Sequence, residues 1–292
     1  RLSLDFKDYH PPRPMFLGTR TFEDYDLATL ASYIDWGPFF QTWELGGRFP
    51  AILDDPERGE AARSLYEDAK TMLAEIIDQK LLKPKAVVGF WPAATRGDDI
   101  AVFAHEDRHE ELATLHTLRQ QMTRSDKERS NLALADFVAP QGTGVRDYVG
   151  AFVVTAGHNE DAVLDRFVKA NDDYGKILFQ ALGDRLAEAF AEHMHERVRR
   201  ELWAYAPNED LSGEELISES YRGIRPAPGY PCQPDHTEKE TLFRLLDAEK
   251  QAGVRLTESY AMWPASSVSG LYFSHPDCRY FGVGRLERDQ VV

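Results

Sequence analysis

The sequence has little of what usually identifies a secreted or membrane protein. Only two of its 292 residues, Cys232 and Cys278, are cysteine, which favours a reducing, cytoplasmic environment over a disulfide framework. The chain contains no run of about 18 apolar residues that could span a membrane, and its N-terminus has no apolar signal core. We therefore expect a cytoplasmic protein without a membrane partner.

Basic residues are outnumbered as well. The chain has 49 acidic and 34 basic residues and a formal net charge of −15, which disfavours non-specific binding to nucleic acids or anionic membranes. Hydrophobic residues make up 42% of the chain and charged residues 28%, as in a soluble globular protein with a sizeable core. The length permits one large domain or two smaller ones.

Several familiar motifs are missing. There is no P-loop, no G-x-S-x-G and no pair of C-x-x-C sequences. Residues 281–284 contain two glycines of a dinucleotide fingerprint but lack the third and lie in a predicted strand. Residues 232–236 contain Cys, Asp and His, but their spacing is poor and no second cluster exists, so we expect no metal site.

The apolar pattern predicts a mixture of helices and strands. Predicted strands cover residues 86–91, 100–103, 134–138, 148–155, 256–262, 267–273 and 280–286, the first ending before Pro92. Three predicted helices begin near residues 26, 55 and 160, and three more cover residues 174–205, 211–221 and 237–253. Leucines hint at a further short helix near residues 112–118. Because helices and strands need not alternate, this order favours the α+β class with an antiparallel sheet.

Three local patterns concern acidic residues. Residues 237–240 read as a capping box at a helix start. Asp184, Glu188 and Glu192 lie off the apolar stripe of the long helix, so their spacing predicts that they face solvent. Asp35 stands among aromatic residues, where it is either a helix cap or a buried carboxylate that needs a partner.

One stretch concentrates the rigid residues. Residues 223–231 hold three prolines and two glycines, so they form neither helix nor central strand. The segment is predicted to be a stiff loop whose carbonyls are free to accept hydrogen bonds and whose ends carry Arg225 and Tyr230. A flat aromatic ligand with exocyclic amines, such as adenine, would suit it. The alternative, a rigid surface turn between two helices, is favoured by composition alone.

The sequence RPAPGYP at residues 225–231, followed by PDHTEK at 234–239, resembles the activation domain of cobalamin-dependent methionine synthase. That family carries an Arg-x-x-x-Gly-Tyr motif for S-adenosylmethionine. Further matching stretches are residues 33–36, 87–90, 118–121, 184–190, 256–259, 267–270 and 272–274. The similarity runs from about residue 16 to about residue 290, so it is far more specific than the motif alone.

The resemblance implies a fold and an activity. The fold would be a C-shaped single α+β domain with a bent, mainly antiparallel sheet and flanking helices, at residues 16–292, with residues 1–15 as a linker or extended arm. Such a domain binds S-adenosylmethionine and supplies its methyl group for the reductive reactivation of cob(II)alamin to methylcobalamin. Cobalamin belongs to a partner domain or subunit of the same enzyme, and a flavodoxin-like or other flavoprotein supplies the electron. The chain would thus be part of a methyltransferase, inactive alone; the alternative is a non-catalytic S-adenosylmethionine sensor that gates a partner.

The resemblance also assigns residues, none of them to a catalytic role or to a metal. Asp35 would bind the α-amino group of S-adenosylmethionine, which favours that role over capping. The other implied ligand-binding residues are Arg225 and the backbone of Ala227 and Gly229 at the adenine end, Tyr230 near the sulfonium, the acidic Glu188 and Glu219, and Tyr280 and Phe281 from the last predicted strand. Arg48, Glu160 and Asp184 match positions that meet the cobalamin domain.

Overall fold

The computed structural model describes residues 2, 4–6, 8–122 and 130–285. Its helices are α1 (Leu27–Ala31), α2 (Gly37–Thr42), α3 (Gly59–Asp78), α4 (Glu160–Ala170), α5 (Asp173–Arg197), α6 (Gly213–Ile217), α7 (Glu238–Leu246) and α8 (Ala248–Ala252). Its strands are β1 (Gly18–Phe22), β2 (Lys85–Arg96), β3 (Asp99–Phe103), β4 (Glu111–His116), β5 (Asp147–Thr155), β6 (Arg255–Leu256), β7 (Met262–Trp263) and β8 (Ser267–Tyr272). Within the described residues, no helix is both long and apolar enough to cross a membrane.

The main sheet is antiparallel throughout its described pairings, in the order β4-β3-β2-β5-β8. β1 pairs with the first half of β2, and β3 pairs with its second half on the same side. Pro92 lies between these two halves, so its missing N–H costs no hydrogen bond to either neighbour on that side. This explains why β2 continues to Arg96, beyond the predicted end before Pro92.

The two faces of the sheet are covered by different helices. Because side chains alternate along a strand, Val88, Phe90, Phe152 and Val154 face one core with α1, α3 and α5. The alternate residues face a second core with α7 and α8; they include Val87, Trp91, Val149, Val153 and Leu271. Burying one such large side chain contributes about 1.5–3 kcal/mol. The predicted α+β class with an antiparallel sheet is confirmed, whereas the C shape and the bend remain predictions.

Several predicted elements differ in the structure. The leucines near residue 112 belong to strand β4, not to a helix, because Ala113 and Leu115 alternate inward and pair with β3. Residues 134–138 are not a strand but contain the 3₁₀ helix Leu134–Phe137, whose start is held by Asp136 Oδ2 accepting from Ala133 N at 3.0 Å. The long helix ends at Arg197 and continues as a π-helical turn, Val198–Leu202.

The C-terminal part differs more. The predicted helix over 211–221 shrinks to α6, and the strand over 256–262 becomes the short pair β6 and β7. Residues 280–285 form no strand, and residue 286 lies outside the described residues. The capping box at 237–240 is absent; Asp235 instead accepts from Thr237 N at 2.8 Å.

The described residues before residue 16 have no regular structure and lie against the rest of the molecule. Phe6 is buried, and Tyr9 Oη accepts from Arg222 Nη2 at 3.0 Å. Pro12 O accepts from Trp203 Nε1 at 2.8 Å. The division into an arm or linker over 1–15 and a domain over 16–292 stays a prediction.

Candidate functional site

A histidine packs against the rigid loop at residues 223–231. Gly229 has φ +96°, and a Cβ there would overlap the ring of His236. His236 is itself fixed, since Lys239 Nζ donates to its Nδ1 at 3.0 Å. Only glycine combines this backbone conformation with so close an approach. His236 therefore supports the loop.

The carbonyls of this loop are less available than predicted. Five of them accept backbone hydrogen bonds within the protein: Ile224 from Phe273, Pro226 from Leu271, Ala227 from Tyr230, Tyr230 from Gln233 and Pro231 from Val283. The bonds from Leu271, Phe273 and Val283 tie the loop to the end of β8 and to the segment after it, whereas the other two lie within residues 227–233. The expectation of free carbonyls was wrong in this respect, although each carbonyl has a second lone pair.

The loop borders a cleft with two lobes. The lobe against the loop, which we call the aromatic lobe, has a volume of about 450 Å³ and is walled by Phe152, Tyr230, Tyr280, Phe281 and loop prolines. The second, the acidic lobe, has a volume of about 580 Å³. Among the described residues, five carboxylates and two guanidinium groups line the acidic lobe: Asp35, Glu188, Glu192, Glu196 and Glu219, with Arg185 and Arg225. Glu188, Glu219, Arg225 and Tyr230 line both lobes.

Arg225 is anchored at this junction by α5. Its Nη1 and Nη2 donate to the two carboxylate oxygens of Glu192 at 3.1 and 2.6 Å. Nη1 also lies 3.2 Å from His195 Nδ1 and 3.0 Å from Tyr221 Oη, while the backbone N–H of Arg225 donates to Tyr280 Oη at 3.0 Å. The guanidinium is thus bound to the protein itself and fixes the loop to the long helix.

Glu188 and Tyr230 meet where the lobes join. Tyr230 Oη donates to Glu188 Oε1 at 3.2 Å. Burial raises the pKa of the Glu188 carboxyl above its usual range, and burial and Glu188 together raise the pKa of Tyr230 to about 12. Burial also raises the pKa of Glu219. A partly desolvated carboxylate of this kind gains from a bound cation.

Asp35 lines the acidic lobe, so the structure brings it to the same cleft as the loop. Its Oδ1 accepts from Gly37 N at 2.9 Å, at the start of α2. One oxygen therefore serves the backbone of the next helix, and the other is left for the cleft. Both roles considered for this residue, cap and ligand, are compatible with the geometry.

Tyr280 and Phe281 reach the cleft from an irregular segment. Tyr280 Oη lies 2.9 Å from Tyr221 Oη, and Phe281 N donates to Cys232 Sγ at 3.0 Å. Val283 N donates to Pro231 O at 2.9 Å. These bonds hold the segment against the loop, so it forms a wall of the aromatic lobe without being a strand.

A family model for the activation domain of vitamin B12 dependent methionine synthase matches residues 26–292 of this chain. The chain belongs to this family. It is also similar to a crystal structure of the MetH reactivation domain bound to AdoHcy, with 52% sequence identity and a TM-score of 0.95 over 99% of this chain and 88% of that chain. The resemblance inferred from the motif is thereby confirmed, and with it the fold.

The three residues assigned to the interdomain contact lie in different settings in this activation domain. Arg48 is exposed before the 3₁₀ turn Ala51–Asp54. Asp184 is exposed on α5, one turn before Glu188, and lies 2.5 Å from Arg185. Glu160 is half-buried; its two oxygens accept from Ala265 N at 3.2 Å and from Ser266 Oγ at 3.0 Å. Glu160 therefore ties α4 to the segment before β8.

Part of the candidate site was not predicted from the sequence. Glu188 and Glu192 were expected to face solvent, but both line the cleft, whereas Asp184 is exposed as predicted. His195, whose side chain is fully buried, and Tyr221 were not predicted to belong to the site. The available signal was an acidic residue at every fourth position of α5: Asp184, Glu188, Glu192 and Glu196. Such residues share one helix face.

Among the described residues, no group of three His, Cys, Asp or Glu side chains could hold a metal ion.

Proposed function

We propose that this activation domain binds S-adenosylmethionine in the cleft and supplies its methyl group for the reductive reactivation of cob(II)alamin to methylcobalamin. The observation that supports this most is the division of the cleft into an aromatic and an acidic lobe. S-adenosylmethionine has the matching parts, since a flat adenine lies at one end and two cationic groups, sulfonium and ammonium, lie at the other. AdoHcy bound to the similar MetH reactivation domain supports the same assignment.

In this proposal adenine occupies the aromatic lobe. Its flat faces pack against the loop prolines and Phe281, and its edge meets the backbone of Ala227. Gly229, which the family motif also implies, lines neither lobe, and its N–H donates to Gln233 O at 2.7 Å. Aromatic and proline side chains give an apolar surface, and backbone groups fix the orientation of a ligand at little entropic cost. Arg225 holds this loop at the junction of the lobes.

The charged groups of the ligand lie in the acidic lobe. The sulfonium sits beside Glu188 and Tyr230, where a carboxylate whose pKa is raised by burial gains a counter-charge. The ammonium group binds the oxygen of Asp35 that does not accept from Gly37. Glu219 adds negative charge at the junction. Opposite charges at short distance in a partly desolvated site favour binding of the cation.

The methyl acceptor lies outside this chain. Cobalamin, carried by a partner domain or subunit, would accept the methyl group as the second substrate. One electron from a flavodoxin-like or other flavoprotein would give its cobalt the electron pair that forms the new bond to the methyl carbon. The electron pair of the broken C–S bond stays on sulfur, which leaves S-adenosylhomocysteine. The chain's own residues bind and orient the donor, so we expect no methyl transfer by the chain alone.

We further propose that Arg48, Asp184 and Glu160 contact the cobalamin-carrying partner. Asp184 is supported best because it is exposed and lies one helical turn from Glu188 in the cleft. Arg48 is exposed and free to approach a partner. Glu160 is supported least, because both of its carboxylate oxygens already accept hydrogen bonds within this chain.

Two measurements test the proposed function. Calorimetric titration with S-adenosylmethionine, in the presence of a chelator, should give saturable binding. Mixing the loaded chain with a cobalamin-carrying domain of methionine synthase and a one-electron reductant should then yield methylcobalamin in the visible spectrum. Binding without transfer in that mixture would favour the alternative, a sensor that gates a partner, and absence of binding would contradict both.

A further inference from the structure

The ion pair between Arg225 and Glu192 forms part of the lining of the cleft. The side chains of Arg225 and Glu192 are 19% and 15% exposed, and both residues line the acidic lobe. Their contact is bidentate, which is the strongest arrangement for this pair. The guanidinium charge is therefore neutralised at the place where the two lobes meet.

Among the described side chains that hydrogen-bond the Arg225 guanidinium, Glu192 is the one carboxylate. His195 Nδ1 faces Arg225 Nη1, which can only donate, so Nδ1 is the acceptor and the ring proton is on Nε2, 3.4 Å from Tyr205 Oη. Burial lowers the pKa of His195 well below its usual value, in agreement with a neutral ring. The next cation, Arg199, has its own carboxylate, since its Nε donates to Glu209 at 2.5 Å. Two guanidinium groups are thus balanced by two carboxylates.

We propose that Glu192 is a specificity-determining residue, which makes the cleft favour a cationic sulfonium over the neutral thioether of S-adenosylhomocysteine by neutralising Arg225. The inference rests on the proposed function and deepens it. With Arg225 neutralised, the charge at the junction is set by Glu188 and Glu219, so the site is anionic. Without Glu192, the unpaired guanidinium would offset the negative charge of Glu188 and Glu219 at the same junction, so the attraction for the sulfonium would weaken.

The experiment measures a ratio, because a ratio separates charge from misfolding. Dissociation constants of S-adenosylmethionine and S-adenosylhomocysteine are determined by calorimetry for the wild type and for variants. The two ligands share adenine, ribose, ammonium and carboxylate, so damage to the fold or to those contacts weakens both. The preference, defined as Kd of the thioether divided by Kd of the sulfonium, responds only to what differs between them, the charge at sulfur and the methyl group. Effects of opposite sign in variants that remove opposite charges identify the charge as the cause.

Three variants give effects of different sign. Glu192→Gln should lower the preference about fivefold or more, which is about 1 kcal/mol at 1.4 kcal/mol per tenfold change. Arg225→Gln leaves Glu192 uncompensated and should raise the preference, even though both ligands bind more weakly. The double variant Glu192→Gln/Arg225→Gln should return the preference toward the wild-type value, because neither charge remains.

Two further variants serve as controls. Glu192→Asp keeps the charge and should keep the preference. Glu201→Gln removes the same charge from an exposed pair, 3.1 Å from Arg197 and outside the cleft lining, and should change nothing. An unchanged preference in Glu192→Gln would overturn the inference; if that variant does not fold, an unchanged preference in Arg225→Gln would do so. Failure of the wild type to bind either ligand would instead overturn the proposed function.

Discussion

Two clusters in this molecule use the same chemistry, an arginine held by carboxylates, in opposite settings. Arg225 is held by Glu192 at the wall of the cleft. Arg119 is held by Asp98 and Asp136, where it joins the turn between β2 and β3 to the 3₁₀ helix Leu134–Phe137.

The difference lies in what else each cluster binds. Arg119 Nη1 also donates to Asn131 O at 2.8 Å, and Asp136 also accepts from Ala133 N at 3.0 Å. The Arg119 cluster therefore also hydrogen-bonds the backbone. The Arg225 cluster also includes the hydroxyls of Tyr221 and Tyr280, and Arg225, Glu192 and Tyr280 line the cleft. An ion pair that also hydrogen-bonds the backbone stabilises the fold, whereas an ion pair that lines a cavity also sets the charge that a ligand meets.

The largest expected effect is a loss of stability in the Arg119 cluster. The side chain of Asp136 is completely buried, so Asp136→Ala removes both of its hydrogen bonds to Arg119, which keeps Asp98, and also removes the acceptor of Ala133 N. This should lower the free energy of unfolding by about 3 kcal/mol. Urea denaturation measures this. Asp98→Ala is the matched control: that side chain is 40% exposed, and its loss should cost under about 1 kcal/mol. Equal losses in both variants would remove the distinction between the two aspartates.

Arg225→Ala should affect both stability and binding. Glu192 would lose its partner at 15% exposure, so we expect about 2 kcal/mol less stability without ligand, together with at least about tenfold weaker binding of S-adenosylmethionine. A melting curve and a titration measure the two effects. A normal melting temperature would show that the loop keeps its shape through proline and glycine alone.

Asp35→Asn should affect binding and spare stability. The amide oxygen can still accept from Gly37 N, so the start of α2 is kept, while the charge toward the ligand's ammonium is lost. Charged hydrogen bonds of this kind contribute about 1.5 kcal/mol or more, which is roughly tenfold in the dissociation constant. An unchanged dissociation constant would reduce Asp35 to a helix cap.

The smallest effect is a pH dependence. Because burial raises the pKa of Glu188, this carboxyl takes up a proton at a higher pH than an ordinary glutamate, whose pKa is about 4.3. The carboxylate attracts the sulfonium, so affinity should be complete above the raised pKa and should fall as the pH decreases through it. Titrations between about pH 8 and about pH 5 measure this. Because burial also raises the pKa of Glu219, Glu188→Gln should reduce this pH dependence and Glu188→Gln/Glu219→Gln should remove it. A wild type as flat as the double variant would contradict the role of these carboxylates.

Much of the fold could be predicted because its signals are local. The apolar runs of β5 and β8, the proline-rich loop and the start of α4 all follow from residue types in short windows. The predicted strand at residues 280–286 shows where such signals fail. Tyr280 and Phe281 have the residue types of a strand, but their bonds to Arg225 and Cys232 hold the segment against the loop. Those partners are about 50 residues away in sequence, beyond the reach of any local pattern.

The sequence by itself determined the family, the α+β class and the rigid loop, because a motif, an apolar period and the backbone limits of proline and glycine are written in adjacent residues. Only the tertiary structure decided which acidic residues of α5 face the cleft and which carboxylate neutralises Arg225. Helical spacing defines a face, but whether that face meets solvent or another element depends on chain segments far apart in sequence. The long-range contact between α5 and the loop therefore turned a predicted solvent face into the acidic lobe of the site.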